Sequence, residues 1–199
     1  MKIIGIKNNY ASVHKASLKD SAFPDVFFMA DSSIIKTNNP FFLPDFASEF
    51  SFHTALVFRT SRLGKSIPLK FAHRYVDAVT VGFAVSAQNP TSLPSDSPLL
   101  HAFDGAAMLG DFISIDASQP LTGLTVTSAV NGNEVCSITP AGMIHDICEI
   151  VHTLSSVCTI KIGDLIFACF GEQQPNPIKI GDSLTAQING EEKLRIRIK

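Results

Sequence analysis

Residues 50–58 read FSFHTALVF and residues 79–85 read VTVGFAV. In the first run Phe50, Phe52, Thr54, Leu56 and Phe58 share one side of a strand, and Ser51, His53, Ala55, Val57 and Arg59 share the other. In the second, Val79, Val81, Phe83 and Val85 alternate with Thr80, Gly82, Ala84 and Ser86. A period of two marks a strand with one face on a core. The chain outward from these runs repeats the pattern. Asn131-Gly132 separates LTVTSAV from EVCSI, and Asn189-Gly190 separates LTAQI from KLRIRIK. Asn-Gly tolerates the positive φ values of a tight hairpin turn. IKIGD occurs at Ile160–Asp164 and again at Ile178–Asp182, each copy a strand end followed by a Gly-Asp turn. One helix is expected from Ala141 to Ser156, on the stripe Ile144, Ile147, Val151 and Leu154. A weaker one is expected from Ala11 to Leu18. Asn89–Pro98 and Glu172–Pro177 read as exposed loops. The fold class is mainly β, a mixed α/β chain with one packed helix.

The 199 residues fit one domain, 1–199, with an N-terminal segment 1–40 and a β core 41–199. Hydrophobic residues make up 45% and charged residues 17%, which argues against disorder. The balance of 16 Lys+Arg against 18 Asp+Glu gives no electrostatic footprint for nucleic acid or an anionic membrane. Cys136, Cys148, Cys158 and Cys169 contain no C-x-x-C pair, so buried reduced thiols are expected. Lys7, Asn8 and Asn9 end the first apolar stretch before a signal-peptide core is complete. No stretch approaches the ~20 apolar residues of a membrane span. A cytoplasmic location is the expectation.

Several further segments carry a resemblance. NNY (8–10), PFFLPDF (40–46), FAHRYVDAVTVG (71–82), AFDGAAMLG (102–110), VNGNEV (130–135), KIGDLIF (161–167) and the second IKIGD are collinear with the fumarylacetoacetate hydrolase family. The chain resembles its short bacterial isomerases, decarboxylases and acylpyruvate hydrolases from end to end. That resemblance implies the family's C-terminal-domain-like fold, strands wrapped around a central pocket. It also implies a homodimer and a Mg²⁺- or Mn²⁺-dependent enzyme acting on small 2-oxo or 1,3-dicarbonyl acids. Such an ion would chelate substrate oxygens and stabilise an enolate. In the family a Glu-x-Glu pair on one strand and an Asp on the next hold it, because i, i+2 spacing puts both Glu on one face.

Position by position, the chemistry is missing. The family's two Glu fall on His53 and Ala55, and its Asp falls on Ala84. The family's NYxxHxxE acid/base pair falls on Val13 and Ala16. His14 is one residue off, a rotation of ~100° on a helix. The two family lysines fall on Ala30 and His101, the Arg-Asp pair on Gln88 and Asn89, and the TGTP-like loop on Ala168–Gly171. Asp104 remains. No metal is therefore expected, and the implied reading is a pseudoenzyme that keeps scaffold motifs and loses site residues. The remnant pocket candidates are His14, His101 and Asp104.

Other readings follow from the same residues. An active enzyme could use a rebuilt site of His53, His101 and Asp104, with Zn²⁺ through His53. A non-catalytic binder could use a pocket made apolar by Ala30, Ala55 and Ala84. A structural protein could associate with an active paralogue. His145, Glu149 and His152 share a helical face but are expected to be a solvated surface. Asp104 is expected in a turn ahead of Gly105. Ser51, Thr80 and Ser86 have no His-Asp pair at recognisable spacing and receive no catalytic role. GKS at Gly64–Ser66 lacks the upstream glycine of a phosphate loop. LRIRIK reads as an amphipathic strand rather than a nucleic-acid site.

Overall fold

The computed structural model describes residues 1–7, 9–10, 24–121, 123–169 and 176–199. The helix expected over 11–18, with His14, lies outside them. The strands are β1 (Ile3–Lys7), β2 (Asp25–Met29), β3 (Ile34–Lys36), β4 (Pro40–Phe41), β5 (Ala47–Thr60), β6 (Val76–Pro90), β7 (Ala107–Leu109) and β8 (Ile113–Ser114). They continue as β9 (Val126–Val130), β10 (Asn133–Ile138), β11 (Leu165–Cys169), β12 (Asn176–Ile178), β13 (Ser183–Ile188) and β14 (Glu191–Ile198). Among the described residues one α-helix, α1 (Ile147–Val157), lies between β10 and β11.

The two decisive runs form β5 and β6, which pair antiparallel along nearly their whole length. Around them the order β2-β1-β11-β5-β6-β7-β3 builds the larger sheet, with β12 added to β5 and β8 to β6. A second sheet runs β10-β9-β13-β14-β4. The large-residue face of β5 and β6 (Phe50, Phe52, Leu56, Phe58, Val79, Val81, Phe83, Val85) joins the second sheet and α1 in one core. The opposite face carries a smaller cluster that includes Ile3, Met29, Ala55, Val57, Ala84, Ala107, Leu109 and Phe167. The alternation thus divides as the sequence indicates.

Both Asn-Gly hairpins are present. Asn131 and Gly132 have φ of 52° and 83°, and Asn189 and Gly190 have 52° and 79°. The IKIGD copies fold alike: Asp164 accepts from the Lys161 amide and Asp182 from the Lys179 amide, each at 2.8 Å. The helix is shorter than its apolar stripe suggested. It starts at Ile147, not Ala141, because Asp146 is an extended N-cap closed by a capping box with Glu149. Ile144 continues the stripe in burial while lying outside the helix. Asn176 and Pro177, expected in a loop, pair with β5 as part of β12. Asn89 and Pro90 likewise end β6 rather than open a loop. The first forty residues supply three strands to the large sheet, and β1 lies between β2 and the parallel β11. Cys136, Cys148 and Cys158 are free thiols. Among the described residues no helix is long and apolar enough to cross a membrane.

The two Gly-Asp turns provide a controlled comparison. Asp164 is fully buried and also binds the Lys2 amide at 2.7 Å and its ammonium. Asp182 is half-buried and accepts from Asn131 Nδ2 at 2.8 Å in a solvent-exposed contact. Removing one partner of a buried, hydrogen-bonded charge pair costs about 3 kcal/mol or more, while an exposed turn contact is worth about 1 kcal/mol or less. Urea unfolding should therefore show Asp164→Ala strongly destabilised and Asp182→Ala only slightly.

Candidate functional site

The β5/β6 register sets His53 directly opposite Ala84 and Ala55 opposite Gly82. Side chains at these four positions share the face away from the main core. The three positions that the resemblance assigns to carboxylate ligands are thus brought together on adjacent strands. Ala55 and Ala84 are buried within the smaller apolar cluster. β7 adds Ala107 opposite Ala84, and Leu109 opposite Gly82. Gly82 is required here, because a Cβ would come 2.7 Å from the Met108 carbonyl oxygen and 2.7 Å from Val57 Cγ2.

Methyl groups donate no electron pair to a metal, and one imidazole is too few for a hard cation that wants six oxygens. Among the described residues no group of three or more His, Cys, Asp or Glu side chains converges to hold an ion. The donor set at His53, Ala55 and Ala84 therefore does not fit the Mg²⁺ or Mn²⁺ that the resemblance implies.

The remaining candidates separate. His101 follows a short 3₁₀ turn, Pro98–Leu100, and is half-buried. Its ring lies 5.3 Å from that of Phe27 on β2. Burial lowers its pKa from the ordinary histidine value, and the nearby Lys7 and His53 lower it further. His53 and His101 are thus electrostatic neighbours. Asp104 sits in the expected turn, exposed, just ahead of Gly105 at φ 88°. Ala30 is the extended residue before the 3₁₀ turn Asp31–Ser33.

The helix-face triad does not form. His145 precedes the helix, Glu149 accepts from the Asp146 amide in the capping box, and His152 Nδ1 lies 2.7 Å from the Ile67 carbonyl. The hydroxyls facing the old pocket serve the scaffold. Ser51 Oγ lies 3.3 Å from Ser86 Oγ and accepts from Gln88 Nε2, while Thr80 donates to the Asp111 carbonyl. Burial pushes the thiols of Cys136 and Cys148 up to about 11 each, so neither is a thiolate nucleophile near neutrality.

Two residues of this region were not among the sequence candidates, Lys7 and Phe27. The Lys7 ammonium lies 5.3 Å from the centre of the Phe27 ring. Lys7 ends the apolar run IIGIK at the same parity as Ile3 and Gly5, which was the available signal. Phe27 is placed by Gly5: a Cβ on Gly5 would stand 2.1 Å from the ring. Only glycine leaves the slot across β1 that this ring fills.

The family model of the fumarylacetoacetate (FAA) hydrolase C-terminal region matches residues 2–199, so the chain belongs to that family. A fumarylacetoacetate hydrolase domain-containing protein 2 homolog of Dictyostelium discoideum is 29% identical over 206 residues, covering 94% of this chain and 68% of its own. The crystal structure of 2-hydroxyhepta-2,4-diene-1,7-dioate isomerase from Mycobacterium marinum is 26% identical with a TM-score of 0.83, over 99% of this chain and 73% of that one. Fumarylpyruvate hydrolase from Pseudomonas aeruginosa, solved with Mn²⁺ and pyruvate, shares the fold at 20% identity and a TM-score of 0.80, over 100% of this chain and 89% of that one. A divalent ion therefore occurs in a protein of this fold.

The lowered His101 pKa has a consequence for stability. A histidine whose folded pKa lies below its unfolded value resists protonation in the native state. Its penalty is absent well above pH 6.5 and grows as pH falls through 6.5 toward the folded pKa. His101→Gln should therefore gain stability relative to the unaltered chain on going from pH 8 to pH 5, as read by melting temperatures at the two pH values.

Proposed function

We propose that this member of the fumarylacetoacetate hydrolase family is a pseudoenzyme, holding the family scaffold without its divalent ion or acid/base chemistry. The observation that carries this reading is the β5/β6 register. It places His53, Ala55 and Ala84 side by side where the resemblance calls for three carboxylates. The substitutions are selective: hairpins, Gly-Asp turns and core strands of the scaffold persist, while the three positions that the resemblance gives to carboxylates carry His53, Ala55 and Ala84. An enolate forming at this face would find no cation held by carboxylates to stabilise it. Asp104, the retained carboxylate, lies exposed in its turn. The reading includes a homodimer or a pairing with an active paralogue, which the exposed Phe28 and Phe42 support as apolar surface.

The electrostatic influence of His53 on His101 favours one other reading, a rebuilt imidazole site for Zn²⁺. Two imidazoles fall short of the three or four ligands of an ordinary zinc site.

Calorimetric titration of EDTA-treated protein distinguishes these readings. The expected result is no saturable heat with Mn²⁺ and no EDTA-sensitive turnover of oxaloacetate or an acylpyruvate. The variant carrying His53→Glu, Ala55→Glu and Ala84→Asp should gain a Mn²⁺-dependent rise in melting temperature, since a ligand that binds only the native state stabilises it. Stoichiometric tight Mn²⁺ binding by the unaltered chain would overturn the pseudoenzyme reading, whatever the variant does. Zn²⁺ binding lost in His53→Ala would replace it with the rebuilt site.

A further inference from the structure

The connection from β5 to β6 is stitched to the end of α1 and the turn that follows it. Gly64 and Ile160 exchange backbone hydrogen bonds at 3.0 and 2.8 Å, and the Ser66 amide donates to the Ser155 carbonyl at 2.8 Å. The Gly163 amide donates to the Thr60 carbonyl at 2.8 Å. The Lys65 ammonium donates to the Ser156 and Val157 carbonyls and so closes the helix C-terminus. These contacts bring Leu63, Val157 and Ile162 to one corner of the molecule, and the 3₁₀ turn Leu69–Tyr75 adds Leu69 and Phe71. Five of the ten large apolar side chains that stand exposed among the described residues are therefore here. Leu63, Val157 and Ile162 are 66%, 68% and 70% exposed, so they project from their turns rather than line a groove.

The same two segments, 61–75 and 152–163, carry Arg62, Lys65, Lys70, Arg74 and Lys161, all exposed, and contain no aspartate or glutamate. The whole-chain balance of 16 Lys+Arg against 18 Asp+Glu conceals this separation. Lys70 and Arg74 lie 4.9 and 4.7 Å from the centre of the Phe71 ring. Among the described residues Arg62 and Lys161 make no ion pair. The acids around the corner have other partners: Asp164 holds Lys2, Asp77 holds Arg59, and Asp116 is bound by Ser118 and lies near His73.

We propose that this corner is a docking surface for an anionic lipid bilayer. Charge complementarity carries the choice of partner. Five cations without a neighbouring acid are drawn to the negative surface potential of such a membrane. Leu63, Val157 and Ile162 enter the boundary between headgroups and acyl chains, while the long basic side chains around them remain at the phosphates. A second copy of the chain fits less well, because a twofold contact sets the patch against itself and opposes like charges. An acidic protein segment would want a groove for its apolar residues, and here the apolar side chains protrude. The surface is separate from the β5/β6 face of His53, Ala55 and Ala84, and it stands whether or not that face holds an ion.

The test is co-sedimentation of the purified full chain with vesicles at low salt. One set is phosphatidylcholine alone, and the other is an equal mixture of phosphatidylcholine and phosphatidylglycerol. Binding is expected only to the second set and should fall as salt is raised. Removing one cation should weaken it about fivefold, so Arg62→Gln with Lys161→Gln should weaken it about twenty-five-fold. Leu63→Ser with Ile162→Ser should weaken it further at a given charge. All four positions are exposed, so an unchanged melting temperature verifies folding. Absence of binding to the anionic vesicles would overturn the assignment, as would binding that Arg62→Gln with Lys161→Gln leaves intact. Equal binding to single-stranded DNA, unaffected by Leu63→Ser with Ile162→Ser, would replace the lipid surface with a general polyanion surface. A change of oligomeric state in Leu63→Ser with Ile162→Ser, without vesicle binding by the unaltered chain, would assign the corner to contact between copies instead.

Discussion

The pairing of β5 with β6 is the constraint on which the rest of the molecule depends. These are the longest strands, and their register assigns every side chain to one of two faces. A slip of one residue would invert both faces, placing Phe52, Phe58 and Phe83 where His53, Ala55 and Ala84 now lie. The burial of these phenylalanines makes such a slip prohibitive, because each buries a large apolar area worth on the order of 2 kcal/mol. The core therefore fixes the site, although no core residue enters it. Gly82 closes the arrangement, for only a residue without Cβ lets β7 and Phe167 approach this closely.

This separation explains how a scaffold can outlast its chemistry. Apolar alternation on one face holds the fold, and nothing in that requirement constrains His53, Ala55 or Ala84. Carboxylates at Ala55 and Ala84 would be buried beside Val57, Ala107 and Leu109. Without a cation they would pay the desolvation penalty of unpaired charges. Once an ion is no longer held, methyl groups are the more stable occupants of these positions. On the pseudoenzyme reading, loss of the ligands and retention of the fold are two consequences of one apolar face.

The parts legible in the sequence are those with local signals. The alternation of β5 and β6, the two Asn-Gly turns and the paired IKIGD turns all depend on neighbours within a few residues. The start of α1 was misread because Ile144 extends the apolar stripe by burial alone, while the capping contact of Asp146 with Glu149 decides where helical geometry begins. The role of β1 was illegible for another reason. Its parallel partner β11 lies some 160 residues away, and no local pattern announces such a pairing. Lys7 consequently read as the end of an apolar stretch rather than as a side chain directed at the site. His101 and His53 stand at family positions, but the contact of His101 with Phe27 depends on Gly5, whose missing Cβ has meaning only once β2 lies beside β1.

The electrostatics of the face follow from that history of replacement. In the arrangement that the resemblance implies, three carboxylates outweigh the charge of one divalent ion, and nearby basic groups balance the surplus. Here His53, Ala55 and Ala84 stand where the resemblance calls for carboxylates, and Lys7 and His101 lie against the Phe27 ring. Burial, with Lys7 and His53 nearby, lowers the pKa of His101 from the ordinary histidine value. The Lys7 ammonium lies 5.3 Å from the centre of the Phe27 ring, close enough for a cation–π attraction. The face thus holds a basic side chain beside a ring seated in the slot that Gly5 leaves. On the pseudoenzyme reading, such a face offers an approaching divalent cation no anionic ligand among His53, Ala55 and Ala84.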